Sequence, residues 1–205
     1  PDGDIFQGIA AGKASIVTDH IERFVPEGIL LASGTVLEAD IVISATGFNL
    51  SFLGDIPFQI DGEPVDFNDR LTWRGMMIED VPNMLFVFGY FRASWTLRVD
   101  LLGDFIVRLF DHMDEIGAAE IRPHVPANLL SLERMSWMDA VDFNPGYLQR
   151  GEHLMPKRAD HPDWQHTQDY WQEKDDLPAI DLDSEVFVYE DEDGQNAGRA
   201  KADAA

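Results

Sequence analysis

Leu37-Glu38-Ala39-Asp40-Ile41-Val42-Ile43-Ser44-Ala45-Thr46-Gly47-Phe48 decides the reading of the fold. The apolar run 41–43 reads as a buried strand, and it stops abruptly in small residues and a glycine. Small residues at a strand's carboxyl end let backbone or ligand come close, and open α/β sheets bind ligands at that edge. Taken alone, Ala45-Thr46-Gly47 is equally well a plain tight turn closing a strand.

The same grammar returns downstream. Met84-Leu85-Phe86-Val87-Phe88 is apolar throughout, as expected of a strand buried on both faces, and Gly89 stops it. Leu101, Leu102, Phe105, Ile106, Leu109, Phe110 and Met113 then recur at helical spacing, with Asp100, Asp104, Arg108 and Asp111 opposite and Gly117 as the stop. Ser94 or Thr96 is the candidate N-cap. Strand, glycine turn and helix start together present free backbone N–H groups to a ligand. The plainer reading is that Ser94 caps the helix and Trp95 fills the core.

Around these two blocks the spacing predicts a short helix over 5–11, a strand over 15–24 and a hairpin over 29–37, a small meander leading into strand 41–44. A loop-rich stretch follows, with a short strand over 71–74. Helices are expected over 129–138, after Asn144-Pro145-Gly146, and over 163–174. The segment 175–193 holds nine acids and no Lys or Arg, which predicts a solvated tail with at most an edge strand over 185–189. Residues 191–205 are expected to be a disordered acidic and Ala-rich tail.

The chain has 205 residues, 45% of them hydrophobic, which suffices for a real core. With 38 acids against 15 bases its net charge is −23, a surface that repels nucleic acid and anionic lipid. There is no cysteine, so disulfides and thiolate metal sites are excluded. The six histidines lack zinc-ligand spacing, and no metal is expected. Gly8-Ile9-Ala10-Ala11-Gly12-Lys13-Ala14-Ser15 fails as a phosphate loop: its glycines are one residue too close and no Ser or Thr directly follows Lys13. No apolar stretch is long enough to span a bilayer and no signal peptide is visible, so a soluble cytoplasmic protein is expected.

Asp40-x-x-x-x-Ala45-Thr46-Gly47-Phe48 resembles a pattern of flavin-containing and Baeyer–Villiger monooxygenases. The block Gly89-Tyr90-Phe91-Arg92-Ala93-Ser94-Trp95-Thr96-Leu97-Arg98-Val99-Asp100-Leu101 resembles the same class B flavoproteins, nearest the ethionamide-activating branch. Asn144-Pro145-Gly146-Tyr147, Leu154-Met155-Pro156-Lys157 and Trp164-Gln165-His166-Thr167-Gln168-Asp169-Tyr170 also resemble that family and read as structural packing.

The resemblance implies an α/β fold: a partial FAD-binding, Rossmann-like domain over 1–190 with a β-meander and a C-terminal helical layer. Both Gly-x-Gly-x-x-Gly units and the family's linker fingerprint are missing, and the family's catalytic arginine lies upstream of the matching region. A chain that starts at Pro1 then reads as a C-terminal fragment without catalytic residues, inactive alone and retaining neither FAD nor NADP. In the intact enzyme NADPH would reduce FAD, and oxygen would be inserted beside a ketone carbonyl or added to sulfur or nitrogen. By the same resemblance Ala45, Thr46, Gly47, Gly89, Tyr90, Ser94, Trp95 and Thr96 face the cofactor, while Phe91, Arg92 and Trp95 border a small-molecule substrate. Phe91-Arg92 departs from the small polar pair usual in that branch and would reshape substrate access. A flavin-dependent N-hydroxylase is one alternative. A non-catalytic acidic α/β interaction module is another, and it predicts a closed core, whereas the fragment reading predicts open apolar surface, unpaired strand edges and self-association.

Overall fold

The computed structural model describes residues 3–138 and 145–197. They divide into two compact units, with the boundary between Gly47 and Phe48.

The first unit opens with α1 (Asp4–Ala10), which ends where Gly12 takes φ +69°. An antiparallel meander follows, β1 (Ile21–Val25), β2 (Gly28–Leu31) and β3 (Val36–Glu38), in that order. The pairing Val25↔Gly28 leaves Pro26-Glu27 as the two-residue turn. Gly28 has φ +146° and lies so near β3 that a Cβ would sit 2.0 Å from the Leu37 carbonyl oxygen, so only glycine fits. Among the described residues of this unit Leu31 is the one buried hydrophobic side chain.

The expected strand 41–44 does not form. Ile41 is 81% exposed and Ile43 is 85% exposed, and no ladder reaches them. A strand exists only through its neighbours' hydrogen bonds, and the described residues offer this run no partner.

The second unit begins with two short hairpins, β4 (Gln59–Ile60) with β5 (Glu63–Pro64) and β6 (Thr72–Trp73) with β7 (Met77–Ile78). Then come α2 (Trp95–Ile116) and β8 (Glu120–Pro123). β9 (Met135–Ser136), α3 (Gly146–Gly151), β10 (Lys157–Arg158), α4 (Tyr170–Asp176) and β11 (Phe187–Glu190) complete it. β9 pairs with β10 and β8 with β11, both antiparallel.

α2 matches its periodicity and is stopped by Gly117 at φ +74°. Its buried stripe is Arg98, Leu102, Phe105, Leu109 and Met113, whereas Phe110 on the neighbouring row is 60% exposed. Phe105 packs on Trp73, and Trp73 in turn meets Phe187 of β11 with ring centroids 4.8 Å apart.

Four further expectations need correction. Residues 84–88 form no named strand: Leu85 makes a single bridge to Met77. Residues 129–138 are not a helix, because Arg134 is drawn to Glu79 and Trp137 is sunk into a cluster with Leu148 and Met155. The 163–174 helix splits into a short 3-10 turn at Pro162–Trp164 and α4, which starts only where the Asp169 side chain accepts the N–H groups of Trp171 and Gln172. Asn144, the other expected cap, lies outside the described residues. Finally, 175–193 is no solvated tail: Leu177, Ile180, Leu182, Val186, Phe187 and Tyr189 join the main core. Apolar residues at 177, 180, 182 and 186–189 are interleaved with the acids, and a charge count hides them.

Across the two units the described residues form short antiparallel sheets and four α-helices, an α/β composition. Leu71↔Lys157 is the parallel bridge among the described residues, and they build no doubly wound parallel sheet.

Candidate functional site

The turn 89–96 joins an apolar run to the start of α2, and the two ends of the turn are built differently. At its outer end Ser94, Trp95 and Thr96 are exposed. Ser94 occupies the N-cap without a side-chain capping bond; its Oγ instead lies 2.7 Å from Thr96 Oγ1. The first turn of α2 carries no acid. The Leu97 N–H donates to the Ser94 carbonyl oxygen at 3.3 Å, and no acid in the first turn offsets the positive end of the helix dipole.

At its inner end the turn is closed. The Trp95 indole lies over Gly89, where an added Cβ would come 2.3 Å from Cγ of that ring, and the indole packs on Phe88 with centroids 5.1 Å apart. Gly89 is thus needed for close approach by Trp95. Gly89→Ala is expected to expel the indole, shift its fluorescence, and cost about 1–3 kcal/mol as an overpacking change; an unchanged Trp95 environment would refute this contact.

Tyr90 is 1% exposed, and its hydroxyl donates to Glu173 on α4. Glu173 also binds Arg98, whose Nε lies 3.1 Å from both carboxylate oxygens and whose Nη2 lies 3.0 Å from Oε1. The rest of the Arg98 fork donates to the backbone oxygens of Phe88 (2.6 Å), Arg74 (2.7 Å) and Gly75 (3.2 Å). Arg98 is fully buried and Glu173 nearly so. One guanidinium thus gathers the 74–75 loop, the entry to the glycine turn and the last helix.

A second relay supports the turn. The Phe91 N–H donates to Gln168 Oε1 at 2.8 Å, and Gln168 Nε2 lies 3.2 Å from His166 Nδ1. His166 Nε2 lies 2.8 Å from the Trp137 carbonyl oxygen. A carbonyl only accepts, so Nε2 carries the proton and Nδ1 accepts from Gln168. The Phe91 ring packs against Phe88, Trp137 and His166.

Burial, with the Glu173 hydrogen bond and charge beside it, raises the Tyr90 ionisation well above the ordinary tyrosine value. A raised folded-state value means stability present below pH 10 and lost as the pH climbs further. Burial raises Tyr189 as well, so an alkaline absorbance titration of Tyr90→Phe is expected to show a smaller late-ionising component than the parent chain, with the remainder due to Tyr189.

The structure thus brings Gly89, Tyr90, Phe91, Ser94, Trp95 and Thr96 together, with Tyr90 and Phe91 turned inward and Arg92 exposed. Ala45, Thr46 and Gly47 belong to the first unit and are exposed, with Gly47 at φ +93°. A cleft of about 520 Å3 beside Trp73, Asp163, Asp176 and Ser184 contains none of these residues. Arg98, Glu173, His166 and Gln168 were missed by sequence reasoning. Arg98 left a trace, a cation in register with Leu102, Phe105 and Leu109 on the buried stripe; the other three sit in loop or short-helix sequence with no such sign.

A glycine turn thus opens a helix that lacks a side-chain cap and a first-turn acid, and a buried ion pair locks it from behind. The chain is 40% identical over 190 residues to the probable FAD-binding monooxygenase AlmA of Acinetobacter baylyi, which covers 93% of this chain and 37% of that protein. It is 41% identical over 171 residues to the FAD-containing monooxygenase EthA of Mycolicibacterium smegmatis, covering 83% of this chain and 34% of the relative. The EthA of Mycobacterium tuberculosis is 41% identical over 170 residues, again 83% and 34%. The chain is similar to FAD-containing monooxygenases over a stretch that spans little more than a third of the length of these curated relatives. No family model and no solved structure matches it.

Among the described residues no helix is long and apolar enough to cross a membrane.

Proposed function

We propose that this chain forms the C-terminal part of an FAD- and NADPH-dependent monooxygenase. It would build one wall of the flavin and substrate site within a Rossmann-like FAD-binding domain. When bound, the flavin supplies the redox chemistry, with oxygen going beside a ketone carbonyl or onto sulfur or nitrogen. The observation that carries the reading is the exposed, acid-free start of α2 in a chain whose relatives are FAD-containing monooxygenases. Partial positive charge there suits the electron-rich pyrimidine edge of a reduced flavin.

The residues fit such a group unevenly. One of the Ser94 and Thr96 hydroxyls, which bond each other, is available as a donor, together with the first-turn N–H groups other than that of Leu97. Trp95, half exposed, would wall the ring or the substrate. Gly89 is covered by that indole, and Tyr90 is engaged by Glu173, so both act through the backbone course they give the turn. Ala45, Thr46 and Gly47 would approach the cofactor through backbone, and Phe91 and Arg92 would bias substrate access. No described residue of this chain is assigned an acid, base or nucleophile, so the segment alone is expected to be inactive and to retain neither FAD nor NADP.

The test joins this chain to the remaining length of the Acinetobacter baylyi relative. A yellow protein that oxidises NADPH and oxygenates a cyclic ketone, a thioether or an amine would support the reading, and the preferred substrate would decide among the three chemistries. Ser94→Glu puts a negative charge at the start of α2 and should weaken flavin binding at least tenfold. A folded chimera without flavin, or one indifferent to Ser94→Glu, would overturn it.

A further inference from the structure

Two ring contacts lead from the glycine turn to the surface. Tyr90 meets Tyr170 with ring centroids 6.3 Å apart, and Tyr170 meets Trp171 at 5.4 Å. Among the described residues these are the contacts that join one Tyr or Trp ring directly to another. Trp95 reaches Trp137 only through Phe88, and Tyr189 reaches Trp73 only through Phe187. The run also crosses from core to solvent: Tyr90 is 1% exposed, Tyr170 is half-buried, and Trp171 is 72% exposed at the start of α4.

Tyr and Trp give up a single electron more easily than the other side chains once thiols are absent, and this chain has no cysteine. Tyr90 is equipped to lose its proton as well. Burial and Glu173 hold it in the neutral phenol form, and a phenol is oxidised easily only when its proton leaves with the electron. The hydroxyl already donates to Glu173, so the accepting carboxylate is in place.

We propose that Tyr90, Tyr170 and Trp171 form an electron path that discharges one-electron oxidants arising at the turn 89–96 to the protein surface. It goes beyond the proposed monooxygenase reading and rests on it for the source of the oxidant, an oxygen-derived radical. The oxidant takes one electron from the Tyr90 ring and is reduced to its anion, while the phenolic proton passes to Glu173. Tyr170 then gives one electron to Tyr90, which takes its proton back from Glu173, and Tyr170 releases its own phenolic proton to water. Trp171 gives one electron to Tyr170, which recovers a proton from water, and the indole N–H proton of Trp171 leaves to water. A soluble thiol restores Trp171 with a hydrogen atom and departs as a thiyl radical. Lys174 Nζ lies 5.5 Å from the centre of the Trp171 ring and opposes positive charge there. Its partner Asp175, at 3.2 Å, offsets it, and loss of the indole proton removes the charge.

A chain of like rings conducts in either direction, so the path can be driven from outside on the 205-residue chain without flavin. The probe is tris(bipyridine)ruthenium(III) made by a light flash, a cation that collects on an acidic surface. Tyrosyl radical is read by electron paramagnetic resonance, and the share due to Tyr90 is what Tyr90→Phe removes. That share should fall at least tenfold in Tyr170→Phe and in Trp171→Phe, with the thermal transition by far-ultraviolet circular dichroism unchanged. Its formation should slow at least twofold in heavy water. A Tyr90 share that is absent from the parent chain, or indifferent to both variants, would overturn the path. Equal rates in heavy and light water would overturn Glu173 as the proton acceptor.

The outlet role is read in the chimera with the Acinetobacter baylyi relative, oxidising NADPH without substrate. There Tyr170→Phe should raise oxidised residues within 89–96 at least threefold by mass spectrometry, and unchanged damage would overturn that role. A chimera that binds no flavin overturns the monooxygenase reading instead and leaves the radical measurement on the chain standing.

Discussion

Glu173→Ala is expected to destabilise the second unit by about 3–5 kcal/mol, the range for stripping one partner from a buried ion pair. The cause is what stays behind: a fully buried Arg98 guanidinium and a buried Tyr90 hydroxyl, each without its anion. Since a whole domain is stable by only about 5–15 kcal/mol, this is a large share. Arg98→Met with Glu173→Leu removes both charges and should recover much of the loss. Recovery should be incomplete, because the carbonyls of Arg74, Gly75 and Phe88 would still lack their donor. Urea unfolding followed by tryptophan fluorescence measures all three chains. If Glu173→Ala costs no more than the same change at exposed Glu192, the clasp has no energetic weight.

The larger effect is expected from ending the chain at Asp176. That removes Leu177, Ile180, Leu182, Val186, Phe187 and Tyr189 from the main core. It also removes the backbone oxygens of Leu177 and Ile180 that accept from Arg108, each at 2.8 Å. Each large apolar side chain contributes about 1.5–3 kcal/mol by burial, so together they rival the stability of the whole domain. The shortened chain should lose its cooperative thermal transition by circular dichroism, and Phe187→Ala alone should cost about 3–5 kcal/mol. A sharp transition in the shortened chain would show that the core around Trp73 closes without β11.

What the sequence made legible follows one rule. Elements whose evidence is local were read well: α2 with its glycine stop, the hairpin of the meander, and the turn at 89–96, although the meander's first strand forms only at Ile21–Val25 and not over 15–20. Elements that depend on a distant partner were not. Residues 41–43 and 84–88 carry the composition of buried strands, yet composition does not name the neighbour that a ladder requires. The acidic segment failed for the opposite reason: nine acids concealed an apolar spacing that pairs with β8. The clasp around Arg98 joins residues 75 positions apart, a distance no periodicity reports. His166 and Gln168 read as packing residues, and their hydrogen bonds to the turn emerge only once Phe91 is placed against them.

The pairing of β11 with β8 sets an order of events during synthesis. Pro123 waits for Phe187, and Glu120 for Glu190. At the pace of translation, about 5–20 residues per second, that wait lasts seconds. Throughout it Trp73 and Ile121 are on the nascent chain without Phe187 and Tyr189, their partners in β11. The acids scattered through the closing segment keep that late-arriving piece dissolved until its apolar residues find their seats, so the charge that disguised it also equips it to finish the fold last.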